Sequence, residues 1–310
     1  DAQAAYHGMT SAEVFVMPSP VAHISGLLYG ELLPIRLGAT SVLMPVWDPG
    51  RFLELVAAER GTFCGGATPF LRGVVEHPEL FRHDLSSLRL FPCGGADVPP
   101  DLIRAAIADL GVRTGRGYGS TEFPSITSSA GPGEPDDKRA ETDGRPVGAN
   151  QVRLRDDEIE ARGPELFLGY RDPALDADAF TDDGWFRTGD LGVLDSEGYL
   201  TVTGRRKDIV VRSGEKISAR EIEDLLERHP RVGAVAVVAV PDEITGERAC
   251  ACVIPVGGGD PPILAELGEY LLDLGLSRRK VPEQLEVVAE LPMTPSGKVK
   301  KHELRARLAR

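Results

Sequence analysis

The sequence predicts an α/β fold of layered helices and strands, followed by a β-rich part and a small α+β unit. Helical and strand patterns alternate over the residues before 136, which is typical of a layered α/β domain. Short strand patterns dominate residues 136–206, and a compact mixture of helices and strands occupies residues 207–310. We therefore expect two domains, residues 1–206 and residues 207–310, with the boundary at Lys207.

The predicted α/β part contains segments whose ends carry recognisable signals. A helical pattern over residues 52–60 stops at Gly61. Another helix is expected to open at the Pro99-Pro100 pair and to run to Leu110, just before Gly111. The remaining predicted segments are an apolar run over residues 27–37, a short buried strand over residues 41–44 and a strand over residues 88–91.

The later parts begin after a polar loop at residues 131–137. In the small unit, Ser218 and Glu221 have the spacing of a capping box before an amphipathic helix that stops at Pro230. Apolar runs and turn residues delimit the other elements. The expected elements are helices over residues 222–229 and 263–274, and strands over residues 232–240, 247–256 and 284–291.

Composition and charge narrow the classes of function. The 310 residues suffice for about two domains, and 42% hydrophobic with 27% charged residues is ordinary for a globular protein. A net charge of −13 argues against nucleic acid or an anionic membrane as the main partner. No apolar run has the roughly 18 residues of a membrane span, and the first residues do not resemble a signal peptide. We expect a cytoplasmic protein.

The four cysteines show no metal-binding spacing. Cys250 and Cys252 alternate along a predicted strand, so both side chains are expected on one buried face. Cys64 and Cys93 are also interpreted as structural. Free buried cysteines are typical of a reducing compartment.

A polar turn after a predicted strand is the first of four motifs that suggest a ligand. Glycine lets backbone approach a ligand, hydroxyls can bond phosphate oxygens, and glutamate can hold a hard cation such as Mg²⁺. An aromatic ring can stack on a purine. The residues alone favour a turn at a strand end with a solvated glutamate. The motif consists of Tyr118, Gly119, Ser120, Thr121 and Glu122.

Three more motifs follow in order. Asp190 ends residues 185–190, and its carboxylate is suited to accept hydrogen bonds from two ribose hydroxyls, although a turn aspartate is the alternative. Residues 204–208 contain Arg205 and Lys207 among other charged residues. Lys298 follows a Pro-Ser-Gly turn that would project its side chain toward phosphate, unless it is simply a solvated lysine of the basic tail.

These ordered motifs resemble those of the adenylate-forming superfamily, which contains acyl-CoA synthetases, adenylation domains and luciferases. The resemblance covers essentially the whole chain, and it implies the C-terminal part of a large α/β domain followed by a small mobile lid domain. The family's Ser/Thr/Gly-rich phosphate loop has no match in residues 1–18. We therefore expect the N-terminal portion that carries this loop in the family to be absent from this chain.

The resemblance implies specific nucleotide contacts. Tyr118 would lie on adenine, Thr121 would contact the α-phosphate and Glu122 would bind Mg²⁺. A glycine turn after a strand would line the adenine, although a plain tight turn fits the same residues. The implied nucleotide-binding set is Gly94, Gly95, Ala96, Tyr118, Gly119, Ser120, Thr121, Asp190 and Arg205.

The resemblance also implies catalytic and moving parts. Lys298, together with Thr121 and Glu122, would stabilise charge as the acyl-adenylate forms. Lys207 matches the hinge about which the family's small domain rotates. A loop with many nearby cations would enter the active site for thioester formation and attract coenzyme A; a solvated charged face is the alternative. The loop residues are Gly214, Glu215 and Lys216.

Residues 18–26 resemble the acyl-pocket motif of acyl-CoA synthetases. His23 would gate the pocket, unless it is a core histidine. Adenylation domains for amino acids usually carry an aspartate there, and a weakly basic histidine cannot replace that carboxylate, which favours an acid without an α-amine. The expected pocket lining is His23, Gly65, Gly66 and Phe123.

The resemblance therefore implies an acyl-CoA synthetase that uses ATP, Mg²⁺ and coenzyme A to convert a carboxylic acid to acyl-AMP and then to a thioester. Two alternatives stay open. The first is an adenylation domain that loads a carrier-protein pantetheine arm, and the second is a non-catalytic remnant that binds nucleotide. Homo-oligomerisation is also left open.

Overall fold

A computed structural model describes residues 1–95, 97–294 and 298–308. The mixed α/β fold expected from the sequence is confirmed. The chain divides into two compact units, Asp1–Thr188 with Gly192–Val202, and Gly189–Leu191 with Thr203–Arg310. Ala96 and the Pro-Ser-Gly turn before Lys298, both named in the predicted motifs, lie outside the described residues.

The first unit contains seven α-helices among its described residues, a seven-residue π-helical stretch at Gly26–Leu32, and 3₁₀ turns at Leu80–Arg82 and Pro173–Leu175. The helices are α1 Ala2–His7, α2 Leu33–Leu37, α3 Pro49–Glu59, α4 Thr68–Val75, α5 Pro100–Leu110, α6 Asp136–Glu141 and α7 Asp176–Ala179. The strands up to residue 205 are β1 Val14–Met17, β2 Thr40–Leu43, β3 Leu90–Gly94, β4 Arg113–Tyr118, β5 Thr127–Ser128, β6 Arg145–Pro146, β7 Gln151–Arg155, β8 Glu158–Arg162, β9 Phe186–Leu194 and β10 Leu200–Arg205. The middle residues of β9, Gly189–Leu191, belong to the second unit, and β10 ends in it.

The second unit combines strands with three described α-helices. Its further elements are β11 Ile209–Arg212, β12 Glu215–Ser218, α8 Ala219–Leu226, β13 Val232–Asp242, β14 Gly246–Pro255, α9 Leu264–Asp273, β15 Gln284–Val287 and α10 Lys301–Leu308, with 3₁₀ turns at Arg206–Asp208, Val256–Gly258 and Arg278–Lys280.

The first unit is built on a largely parallel sheet. β2 and β1 are parallel, and bridges through Phe63 join β1 to the parallel pair β3–β4. The short strands β5 and β6 then extend the sheet in antiparallel orientation. Because the parallel strands point the same way, the loops that follow them meet at one edge.

Local signals position the helices beside this sheet. The Asp48 carboxylate accepts a hydrogen bond from the Arg51 amide at 2.7 Å, which caps α3. Gly111 ends α5 in the left-handed conformation with φ 64°. The inward faces of these helices bury Phe52, Val56 and Ile103 in a core with β3 residues. Apolar spacing on one helix face therefore produces the predicted layer.

A β-rich meander follows, with strand order β10-β9-β8-β7. The third sheet has the order β12-β11-β14-β13, and β15 pairs with β14. Alternate residues of β13 face different cores: Val235 and Val237 pack with α8 and α9 residues, while Val238 packs with Leu304 of α10. Burial of both faces explains the nearly continuous apolar sequence of β13.

Several predicted details are wrong. The strand β2 is present, but its residues are exposed or half-buried, because a short apolar run does not reveal whether another layer covers it. The polar stretch after Pro135 forms the helix α6, and α8 begins at Ala219 rather than at residue 222. Half of the capping box forms: the Ser218 Oγ accepts from the Glu221 amide, while the Glu221 carboxylate binds Lys280 instead.

All four cysteines are buried and free, as expected for structural cysteines. Cys250 and Cys252 share one buried cluster, which confirms the predicted orientation on β14. Within residues 1–95, 97–294 and 298–308, no helix combines the length and hydrophobicity needed to cross a membrane.

Candidate nucleotide site

The carboxyl ends of the parallel strands carry the motif residues of the first unit. β3 ends at Gly94, and β4 ends at Tyr118. The segment that contains Gly66 joins this edge through a parallel bridge between Gly66 and Cys93 of β3. In open α/β sheets, ligands bind in the crevice outside the carboxyl ends of the strands. The structure therefore gathers the predicted glycine turns and the Tyr118–Glu122 turn at an edge suited to a ligand.

Glycine is required at this edge by close packing of backbone. A Cβ on Gly94 would lie 2.2 Å from the carbonyl oxygen of Gly117, and a Cβ on Gly119 would lie 2.3 Å from that of Pro124. Gly95 has φ 79°, which L side chains rarely adopt. Gly94 therefore lets the end of β3 lie close against the backbone of β4, and Gly119 lets the turn after β4 close on itself.

The turn after β4 is closed by its own residues. The Ser120 amide donates to the Phe123 carbonyl at 2.9 Å, and the Phe123 amide donates to the Ser120 hydroxyl at 3.3 Å. Thr121 is exposed at the tip, and Tyr118 packs beside a cluster that contains Phe123. The Ser120 hydroxyl thus shapes the turn, while the Thr121 hydroxyl is open to solvent.

Glu122 is half-buried and held by hydrogen bonds. The Tyr170 hydroxyl donates to its Oε1 at 3.0 Å, and the Phe167 amide donates to its carbonyl at 2.8 Å. Burial alone would raise the pKa of the carboxyl group, but hydrogen bonds from its own backbone, Ser120 and Tyr170 outweigh this effect and lower the pKa. The carboxylate is therefore ionised at neutral pH.

The predicted acyl-pocket residues differ in their surroundings. The Gly66 backbone lies beside residues of the His23 loop, because a Cβ on Gly66 would be 3.2 Å from the Ser19 Oγ. The His23 Nδ1 accepts from the Ser25 amide at 3.3 Å, and the side chain is half-buried. Gly65 is buried. Phe123 is fully buried in a core cluster.

The second unit brings together three other motif residues. The Arg205 Nε lies 3.1 Å from the Asp190 Oδ1. Burial is the main cause that lowers the pKa of Lys298, and the positive charge of the nearby Arg205 lowers it further. The negative charge of Asp190 acts in the opposite direction. Lys298 is held by Thr294, since its amide donates to the Thr294 hydroxyl at 3.0 Å and its carbonyl accepts from the Thr294 amide at 2.8 Å.

The predicted hinge and loop residues also belong to the second unit. Lys207 is exposed in the 3₁₀ turn after β10. Ser213 and Gly214, with φ 49° and 82°, form the two-residue turn between β11 and β12, as a type I′ hairpin requires. Glu215 is half-buried and Lys216 is exposed at the start of β12. The loop predicted at Gly214, Glu215 and Lys216 is therefore the tip of a tight hairpin and the start of the strand that follows it.

Sequence reasoning missed two supporting contacts of the first unit. The Arg116 guanidinium, two residues before Tyr118, forms a buried bidentate pair with Asp143 at 3.1 Å for both hydrogen bonds. The second is the hydrogen bond from Tyr170 to Glu122. Neither could be found by motif spacing, because the partners are separated by 27 and 48 residues and meet only in the folded unit.

Metal binding by protein residues alone is not supported in the part of the chain that the structure describes. No group of three or more histidine, cysteine, aspartate or glutamate side chains is arranged there to hold an ion. Mg²⁺, however, commonly uses one or two carboxylates together with substrate phosphates and water. The ionised, half-buried Glu122 fits such a shared site.

Sequence profiles identify the family. The AMP-binding enzyme profile matches residues 2–171, and the profile of the AMP-binding enzyme C-terminal domain matches residues 221–298. The chain therefore belongs to the AMP-binding enzymes of the adenylate-forming superfamily.

Among curated relatives, the chain is 37% identical over 314 residues to the medium-chain fatty-acid–CoA ligase of Escherichia coli (strain K12). The match covers 97% of this chain and 55% of that ligase, so the chain spans about half the length of this relative.

Two solved structures share the fold across both units. The amide bond synthetase McbA from Marinactinospora thermotolerans matches with a TM-score of 0.87 and 34% identity, covering 98% of this chain and 63% of McbA. ATP-bound MatB from Rhodopseudomonas palustris matches with a TM-score of 0.90 and 30% identity, covering 99% of this chain and 62% of MatB.

Proposed function

We propose that this protein is an AMP-forming acyl-CoA synthetase, which activates a carboxylic acid with ATP and transfers the acyl group to coenzyme A. The observation that carries this proposal is the Tyr118–Glu122 turn at the carboxyl end of β4, with an ionised Glu122 beside closely packed glycine turns. Its similarity to the fatty-acid–CoA ligase of E. coli supports the choice of coenzyme A.

The residues of the first unit would bind the nucleotide. The backbone of Gly94 and Gly95 would line the adenine, and the half-buried ring of Tyr118 would stack on it. The exposed Thr121 hydroxyl would donate to the α-phosphate. Mg²⁺, held by Glu122 and the phosphates, would supply charge neutralisation.

The residues of the second unit would act on ribose and on developing charge. Asp190 would accept hydrogen bonds from ribose hydroxyls, and Arg205, 3.1 Å away, would orient that carboxylate. Lys298 would place a point charge near the carboxylate and phosphate oxygens that react. We infer that Lys207 serves as the hinge that lets the small domain present Lys298 or the Gly214 hairpin in turn.

The reaction would proceed in two displacements. A carboxylate oxygen attacks the α-phosphorus of ATP, which forms the acyl–phosphate anhydride bond as pyrophosphate leaves. The thiol of coenzyme A then attacks the acyl carbonyl carbon, loses its proton and expels AMP. His23, Gly65, Gly66 and the backbone near Phe123 would line part of the acyl site.

Replacement of Lys298 tests this assignment in the full-length gene product. Lys298→Ala should lower carboxylate-dependent ATP–pyrophosphate exchange by about 10²- to 10³-fold, the usual effect of removing one electrostatic stabiliser of a transition state. Thioester formation from supplied acyl-AMP should fall much less, because the anhydride is already formed. Both rates can be measured by product chromatography.

The control is Lys300→Ala, which removes a neighbouring cation that pairs with Glu303 at 3.0 Å. It should leave both half-reactions within about twofold of the unmodified protein, as expected for a surface ion pair. Equal losses in the two half-reactions for Lys298→Ala would contradict the proposed role.

The similarity to McbA favours an amine as a second acceptor to test. Incubation of the enzyme, ATP and acid with coenzyme A, a holo-carrier protein or an amine, followed by mass spectrometry, separates thioester from amide formation. Turnover with coenzyme A alone supports the acyl-CoA synthetase. Exclusive acylation of the carrier or the amine would contradict the acyl-CoA synthetase and assign that acceptor in place of coenzyme A.

A further inference from the structure

Glu122 is held at both ends by one segment that no sequence motif of the site includes, residues 167–170. The Phe167 amide donates to the Glu122 carbonyl at 2.8 Å, and the Tyr170 hydroxyl donates to the Glu122 Oε1 at 3.0 Å. The carboxylate also accepts from its own backbone and from Ser120. Its two oxygens offer about four lone-pair sites, so these three hydrogen bonds still leave room for a further ligand.

The 167–170 segment is itself fixed by aromatic packing. The Phe167 ring lies 4.8 Å from that of Tyr170 and 5.5 Å from those of Phe180 and Phe186. These distances are typical of stabilising aromatic pairs. The cluster therefore provides a rigid base for the Tyr170 hydroxyl.

Backbone contacts add a second anchor. The Tyr170 amide donates to the Asp176 Oδ1 at 2.8 Å. Gly169 adopts φ 139°, and a Cβ there would lie 2.7 Å from the other Asp176 carboxylate oxygen. Leu168, between the two contacts to Glu122, is fully exposed. The segment is thus held at Phe167 and Tyr170, which contact Glu122, although Leu168 between them faces solvent.

We propose that Tyr170 is a positioning residue, whose hydroxyl orients the Glu122 carboxylate toward the divalent cation that accompanies the nucleotide. This inference rests on the proposed function, because it assigns Glu122 to the metal–nucleotide complex. Hydrogen bonds that orient ligating carboxylates typically change metal affinity by roughly 10- to 100-fold when removed.

The test uses Mn²⁺ as a spectroscopic probe for the cation. In the full-length gene product with a non-hydrolysable ATP analogue, Tyr170→Phe should weaken Mn²⁺ binding about tenfold in an electron paramagnetic resonance titration. The phenylalanine ring retains the packing against Phe167, so the fold should persist.

Tyr199→Phe is the matched control, because Tyr199 also donates its hydroxyl to a glutamate, Glu134, away from the turn. Its Mn²⁺ affinity should remain within about twofold of the unmodified protein. In exchange assays, Tyr170→Phe should raise the Mg²⁺ concentration needed for half-maximal rate while the KM for the acid stays unchanged.

A double-mutant cycle shows whether Tyr170 acts through Glu122. In a Glu122→Gln background, Tyr170→Phe should change nucleotide affinity, measured by calorimetry, less than about twofold.

The inference is overturned if Tyr170→Phe binds Mn²⁺ as tightly as the unmodified protein, or if Tyr199→Phe loses as much affinity. Absence of any Mn²⁺–nucleotide complex in the unmodified protein would overturn the proposed function as well. The two failures are therefore distinguishable.

Discussion

The two compact units hold their motif residues by different physical means. In the first unit, Gly94 and Gly119 permit direct contact between backbones, and the ion pair below the turn is buried, with side-chain exposures of 6% for Arg116 and 10% for Asp143. In the second unit, Gly214 has no atom within 4 Å of a Cβ position, and the Arg205 side chain is 48% exposed. We infer that the first site is preformed by packing, whereas the second relies on charges that water can screen.

The largest expected effect concerns the two ion pairs. Arg116→Met should destabilise the protein by about 3–5 kcal/mol, because it leaves the Asp143 carboxylate buried without its cation. Arg205→Met should cost about 1 kcal/mol or less, since its pair is partly solvated. Urea unfolding monitored by hydrogen exchange in each unit measures both losses of stability. Similar losses for the two variants would break the comparison.

The glycines provide a second, smaller contrast. Gly119→Ala should cost about 2–3 kcal/mol, because its Cβ must displace the Pro124 carbonyl. Gly214→Ala should cost about 1–2 kcal/mol through its left-handed backbone alone. Gly214→Asn should recover part of that loss, since asparagine tolerates this conformation, whereas Gly119→Asn should not. Thermal unfolding of the four variants tests this order.

The smallest expected effect is the loss of stability that acidification causes through a buried histidine of the first unit. Burial, with help from Arg113 and Arg89, lowers the pKa of His7 from 6.5 to about 3. Between these values the unfolded chain binds a proton that the folded chain does not, so stability falls as the pH decreases from 6.5 toward 3. At pH 5 the loss from this group should be about 2 kcal/mol.

The control for that prediction is His7→Leu, which cannot bind the proton. Its stability should decline less than that of the unmodified protein between pH 6.5 and pH 5, as measured by urea unfolding at each pH. In the second unit, the Glu266 Oε1 lies 3.7 Å from the Nε2 of the buried His229. Identical acid profiles for the unmodified protein and His7→Leu would refute the role of His7.

Elements with strong local signals were predicted well. α5 begins at Pro100 and ends before Gly111, and β13 follows its apolar run, because these signals act within a few residues. α6 was missed, since its polar sequence resembles a loop and Ala140 is its one buried residue. Exposure of β2 was also missed, because covering layers are not encoded in a four-residue pattern.

The candidate site shows the same division. Motif order and residue chemistry were enough to single out Glu122, Asp190 and Lys298 and to suggest the adenylate-forming family, because glycine turns and charged groups are local features of the chain. The hydrogen bonds that support these residues depend on contacts between distant segments. Tyr170 reaches Glu122 across 48 residues, and Arg116 reaches Asp143 across 27. Since such contacts exist only when the sheets and loops pack, the chemistry of the motifs could be read from the sequence, and the orientation of their side chains could be read only from the folded chain.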